Sequence, residues 1–135
     1  MVRTLTLSPS GQGLHEITEQ VRPLVRDSGL EDGLCTLFLK HTSASLLIQE
    51  NADSAARRDL ETWMCRLVPE EDPLYTHRVE GPDDMPAHVK SALTATTLSI
   101  PIVGGDLALG TWQGIFLWEH RRHPRPRTVL VHLGP

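Results

Sequence analysis

Six consecutive residues, Leu34-Cys35-Thr36-Leu37-Phe38-Leu39, constrain this chain more than any other stretch. The run is too short and too uniformly apolar for a surface helix. Gly33 opens it, and it stops abruptly in the polar group Lys40-His41-Thr42-Ser43-Ala44-Ser45. A strand in the middle of a sheet has this composition. At 135 residues the chain fits one ordinary domain spanning 1–135, so a single core should form around that strand.

The neighbouring segments supply more strands than helices. Val2 to Leu7 alternates as a first strand and closes in the turn Ser8-Pro9-Ser10-Gly11. A second stretch from Gly13 leads to Thr18, which reads as the N-cap of a short helix carrying Val21, Leu24 and Val25 and ending at Ser28-Gly29. Leu46 to Ile48 continues extended. From Asn51 or Asp53 an amphipathic helix follows, with Ala56, Leu60, Trp63, Met64 and Leu67 as its inner stripe and Pro69 as its stop.

Residues Pro69 to Pro86 hold four prolines and many acids, the marks of a long ordered loop. Pro86 opens a helical turn with His88 and Lys90, and Ser91 to Ile102 reads as a strand before the turn Gly104-Gly105-Asp106. In the strand Gly110 to His120, alternation puts Trp112, Phe116, Trp118 and His120 on one face and Ile115, Leu117 and Glu119 on the other. Val129 to Leu133 closes the sheet. The tally is an α+β domain, a largely antiparallel mixed sheet or sandwich with two to three helices packed on it.

Composition excludes several functions. No apolar run approaches the roughly 20 residues that a spanning helix needs, and Met1 to Leu7 has no export signal. Cys35 and Cys65 stand alone rather than in a CxxC pair, so the expected state is free thiols and the expected compartment the cytoplasm. A net charge of −4 gives no general attraction to nucleic acid. The exception is Arg121, Arg122, Arg125 and Arg127, read either as a solvated turn between two strands or as a phosphate clamp.

Chemistry rests on the seven histidines and an acidic group. No HExxH or CxxC spacing is present, so a metal site must be assembled from distant segments. His41 lies where the buried strand turns polar, His88 follows the Pro-rich acidic loop, and His120 ends a strand beside Glu119 and Arg121. Three imidazoles with an open fourth position suit a catalytic metal, and these three are the candidate ligands. His77 competes with His41 for a place among them. His15, His123 and His132 read as partly buried rings bonded to backbone carbonyls.

Asp83-Asp84 near Glu80 suits magnesium beside a substrate phosphate, or equally a solvated loop or a helix N-cap. Ser43 beside His41 lacks the GxSxG elbow of a hydrolase.

Several separated motifs together resemble the YjbQ-like family. They are His41-Thr42-Ser43-Ala44-Ser45-Leu46; Asn51 with Asp53; Glu80-Gly81 and Asp83-Asp84-Met85-Pro86 with His88 and Lys90; and Gly110-Thr111-Trp112-Gln113-Gly114 with Glu119-His120-Arg121. That family is also known as secondary thiamine-phosphate synthase. The resemblance implies an α+β homotrimer, polar pockets near subunit boundaries, often with a bound metal or anion, and a weak thiamine-phosphate synthase side activity. In that reaction a pyrimidine diphosphate joins a thiazole phosphate with loss of pyrophosphate.

On that reading Asp83 or Asp84 holds magnesium, Lys90 and Arg121 stabilise the departing pyrophosphate, Glu119 lies with them at the site, and the histidines bind zinc or another divalent ion or orient substrate. Pro124-Arg125-Pro126 departs from the Gly-containing turn expected there. The readings that remain are a metal-assisted enzyme acting on a phosphorylated small molecule, a noncatalytic metal- or ligand-binding trimer, and, against the charge balance, a nucleic-acid binder.

Overall fold

The run Gly33–Leu39 is a central strand, paired antiparallel on both sides, with Cys35, Leu37 and Leu39 turned inward and at most 1% exposed. A computed structural model describes residues 1–135 and gives the order β1 (Val2–Leu7), β2 (Gly13–Glu16), α1 (Thr18–Asp27), β3 (Gly33–Leu39), β4 (Ala44–Glu50), α2 (Ser54–Leu67), α3 (Asp84–Leu93), β5 (Thr97–Val103), β6 (Asp106–Leu107), β7 (Gln113–Glu119) and β8 (Arg127–Gly134). Every strand pairing is antiparallel.

Two sheets form, one of five strands in the order β1-β8-β3-β5-β6 and one of three in the order β2-β7-β4. Their inner faces and Val21 and Val25 of α1 enclose the main core, which includes Leu37, Leu46, Ile100, Leu117 and Val131. A smaller core of Leu14, Met64, Val68, Phe116 and Trp118 lies on the other side of the three-stranded sheet, under α2. The outer face of the five-stranded sheet carries no helix. There Val2 is 60% exposed, Phe38 46% and Val103 61%.

Local chemistry moves several boundaries away from the sequence reading. Ile17, not Thr18, is the N-cap of α1. Thr18 is buried instead, its hydroxyl donating to Glu16 Oε2 at 2.8 Å and accepting from Ile115 N–H at 2.9 Å. For α2 the cap is Asp53, whose carboxylate accepts from Ala55 N–H at 2.9 Å. Trp63 and Leu67 face outward, 47% and 52% exposed, and only Met64 of the expected stripe is fully buried.

Helix α3 starts at Asp84, two residues before Pro86, and runs to Leu93, so Ser91 belongs to a helix and the following strand begins at Thr97. Proline is tolerated here because the first helical turn needs no N–H from it.

Candidate functional site

The alternation of β7 sends its last residues to opposite sides of the three-stranded sheet. Glu119 points between the two sheets and is fully buried. Its carboxylate accepts two bonds of 2.7 Å from the equally buried Arg127 guanidinium and one of 3.0 Å from Arg121 N–H. A buried charge pair is tolerable only with this kind of saturated geometry.

The Arg127 guanidinium also lies 2.6 Å from His41 Nε2, while His41 Nδ1 accepts from Ser43 N–H at 3.0 Å. Both ring nitrogens therefore face donors, although a neutral imidazole offers one lone pair. Burial first, and then the Arg127 charge, lower the His41 pKa and keep the ring neutral.

Beside this cluster opens a cavity of about 540 Å³ with no hydrophobic side chain in its wall. Its metal-ligating groups come from α3 and the loop before it. His77 Nε2 lies 2.7 Å from Asp84 Oδ2, and His88 Nε2 lies 3.4 Å from the same oxygen. Asp84 and His88 are one helical turn apart, which puts them on one face of α3. The three potential ligand atoms all lie within 4.8 Å of one another.

Backbone contacts orient these groups. His88 Nδ1–H donates to the Thr42 carbonyl at 3.1 Å, which leaves its Nε2 lone pair facing the carboxylate. Two acceptors facing each other call for a cation or a proton between them. On the far side of Asp84, Arg121 donates to Oδ1 at 2.7 Å, to Asp83 Oδ2 at 3.1 Å and to the Glu80 carbonyl at 2.8 Å. Burial opposes ionisation of Asp83, but the Arg122 N–H and then Arg121 outweigh it, and the carboxyl titrates below its usual range.

The candidate residues thus divide between two places. Asp83, Asp84, His88, Arg121 and His41 gather around the polar cavity, and His77 joins Asp84 and His88 as a potential ligand. His41, held by donors at both nitrogens, is outside that trio. His120 lies across the sheet, 1% exposed, with its Nε2 2.9 Å from Ser45 Oγ. His41, His88 and His120 are therefore not brought to one ion.

Burial first, with the charges of Lys90 and Arg127 adding to it, lowers the His120 pKa to about 3. Lys90 shares a second cavity with His120, away from Arg121.

Three of the four tail arginines are engaged by carboxylates: Arg121 as above, Arg122 with Glu70 at 3.2 Å, and Arg127 with Glu119. Among the remaining histidines, His15 bonds the Gly11 carbonyl at 2.7 Å as expected, whereas His123 is exposed at the polar cavity and His132 is exposed on the outer sheet face.

The segment Gly110 to Gly114 lies at the other end of β7, about 17 Å from Glu119 at ~3.4 Å per strand residue. Gly114 is needed there because a Cβ would come within 2.5 Å of the Glu16 carboxylate, which holds Asn51 Nδ2 at 2.9 Å. Both cysteines are free, and burial pushes the Cys35 thiol up to about 11. No helix is long and apolar enough to cross a membrane.

The family model described as "UPF0047 protein YjbQ-like" matches residues 3–134. A UPF0047 protein of Synechocystis is 53% identical over 96% of this chain and 88% of its own, and the YjbQ protein of Salmonella typhimurium is 46% identical over 97% and 95%. Among solved structures, an uncharacterized conserved YjbQ/UPF0047 protein of Clostridium acetobutylicum superposes with a TM-score of 0.85 at 36% identity, covering 99% of each chain. A conserved hypothetical protein of Thermus thermophilus superposes at 0.82, also at 36% identity, over 98% of this chain and 99% of its own. Over almost its entire length, this chain belongs to the UPF0047 family of YjbQ-like proteins.

Proposed function

We propose that the chain binds a divalent metal through His77, Asp84 and His88 and acts with it on a phosphorylated small molecule in the polar cavity. The observation that carries this reading is the convergence of three ligand atoms within 4.8 Å, one of them an imidazole lone pair fixed by the Thr42 carbonyl. Two imidazoles and one carboxylate fit zinc and similar transition ions better than magnesium, which prefers oxygen ligands. An ion held there would supply a Lewis acid and a water of lowered pKa.

The chain's own groups take supporting parts. Asp84 is a ligand oriented by Arg121, Glu119 positions Arg127 beside His41, and the exposed Arg125 at the mouth is the cation free to meet a phosphate, with the His123 ring beside it. A weak thiamine-phosphate synthase reaction belongs to this reading as a side activity, since both of its substrates carry phosphate. Assembly as a cytoplasmic homotrimer belongs to it as well, supported by the uncovered sheet face with Val2, Phe38 and Val103.

The test is elemental analysis after supplementation with zinc or magnesium. Near-stoichiometric metal is expected in the wild type and in His120→Gln, and its loss in His77→Ala/His88→Ala with circular dichroism unchanged. A wild type that takes up no ion, or a double variant that keeps it, would overturn the metal site. Turnover of pyrimidine diphosphate and thiazole phosphate by the loaded protein then separates an enzyme from a noncatalytic metal binder.

A further inference from the structure

On the helix side of the three-stranded sheet lies a second cavity, of about 410 Å³, that shares no residue with the polar one. Its size falls in the range of roughly 300–1,000 Å³ usual for small-molecule sites. The unusual group in it is Lys90. Helix α3 carries this side chain inward until only 3% of the residue is exposed, and Lys90 lines the cavity, its Nζ beside Cys65 of the same wall.

Its one hydrogen-bond partner is Cys65 Sγ at 3.9 Å, and no carboxylate lies within 4.0 Å. Buried lysines are rare without a counter-charge, because leaving water is costly for an ammonium ion. The structure therefore holds a pre-placed cation facing a space large enough for the missing anion.

The rest of the wall suits a phosphoryl group attached to a flat apolar body. Arg66 brings a second cation, Thr62 a hydroxyl and Gln12 an amide, while Trp118 and Met64 form an apolar side. The one acid, Glu61, is engaged in accepting from Leu14 N–H at 2.9 Å, and it leaves the wall with one net positive charge when set against Lys90 and Arg66. His120 adds no charge, for its pKa of about 3 leaves the ring neutral near pH 7. Such a ring donates or accepts a hydrogen bond without competing for the anion.

The geometry points to this cavity as a second binding site, for the phosphate ester of a small aromatic molecule, with Lys90 as the anchor of the phosphoryl group. It stands independently of the metal site, whose failure would leave it untouched.

The test uses phenyl phosphate as probe and the exposed Cys65 as reporter, with the buried Cys35 as internal reference. Alkylation of Cys65 by iodoacetamide, followed by mass spectrometry, should slow at least fivefold and saturably as phenyl phosphate is added, while phenol at the same concentration leaves it unaltered. In Lys90→Met the concentration needed for protection should rise at least tenfold. In Asp84→Asn, which alters only the other cavity, it should stay within twofold.

No slowing in the wild type, equal slowing by phenol, or protection that survives Lys90→Met and vanishes in Asp84→Asn would each overturn the assignment. The wild-type measurement decides by itself if Lys90→Met fails to fold.

Discussion

Arg127 and Lys90 are equally buried, each 3% exposed, yet they are opposite kinds of cation. Arg127 has a fully buried carboxylate at 2.7 Å on two of its nitrogens, whereas Lys90 has only a thiol. A charge pair saturated by its own chain is complete without a ligand, and its effect is to fix the strand end on which His41 and Arg121 depend. A buried charge without a partner is incomplete until something binds. The contrast separates scaffold from site at two positions that look alike by burial.

The largest effect should come from breaking the saturated pair. Glu119→Gln keeps the shape but leaves Arg127 buried with no counter-charge, and removal of one partner of such a pair costs about 3–5 kcal/mol. Denaturant unfolding at pH 7 should show that loss, with weakened metal uptake because Arg121 N–H and the β7 end lose their anchor. A loss below about 1 kcal/mol would mean that Arg127 relaxes to solvent, and the contrast with Lys90 would collapse.

How much of this was legible depends on whether a signal is local. The central strand Gly33–Leu39 was legible because six adjacent residues carry it, and the alternation read from Gly110 to His120 puts Glu119 and His120 on opposite faces. The α+β sandwich followed from the strand count. Solvated loop charge and a helix N-cap are equally compatible with Asp83-Asp84 in the sequence; Asp83 is the N-cap of α3, so the helix starts two residues before the Pro86 that marks it in the sequence.

The sequence leaves His77 and His41 as competitors, because the choice between them depends on how a long Pro-rich loop folds back onto α3. Grouping His120 with His41 came from reading strand ends as one place, although consecutive residues of a strand face opposite sides. The only local sign of the second cavity was the Trp118 and His120 parity. Nothing in the sequence shows that Lys90 turns inward unpaired.

A smaller effect should appear in the pH dependence of stability. With a folded pKa of about 3 against an ordinary 6.5, the unfolded chain binds the His120 proton and the folded chain does not. Stability is therefore fully present above pH 6.5 and falls as pH drops toward 3, by about 1.4 kcal/mol per unit at most. Between pH 6.5 and 4.5 the wild type should lose roughly 2–3 kcal/mol more than His120→Gln, whose amide also meets Ser45 Oγ. Equal slopes in the two proteins would show that the ring is protonated in the fold, and that Lys90 does not stand near it as a free positive charge.

The smallest effect on the unliganded protein is expected at Lys90 itself, and it discriminates most between the two cations. Replacing buried charge by apolar volume is commonly neutral or favourable, so Lys90→Met should unfold at pH 7 between the wild-type value and about 2 kcal/mol above it. The same variant should lose the stabilisation that phenyl phosphate gives the wild type, which grows as the logarithm of ligand concentration above Kd. A loss of about 3 kcal/mol without ligand would place Lys90 beside Arg127 as scaffold. A gain in stability together with the loss of the phosphate response would identify a residue whose placement is unfavourable for the empty fold and explained only by what it binds.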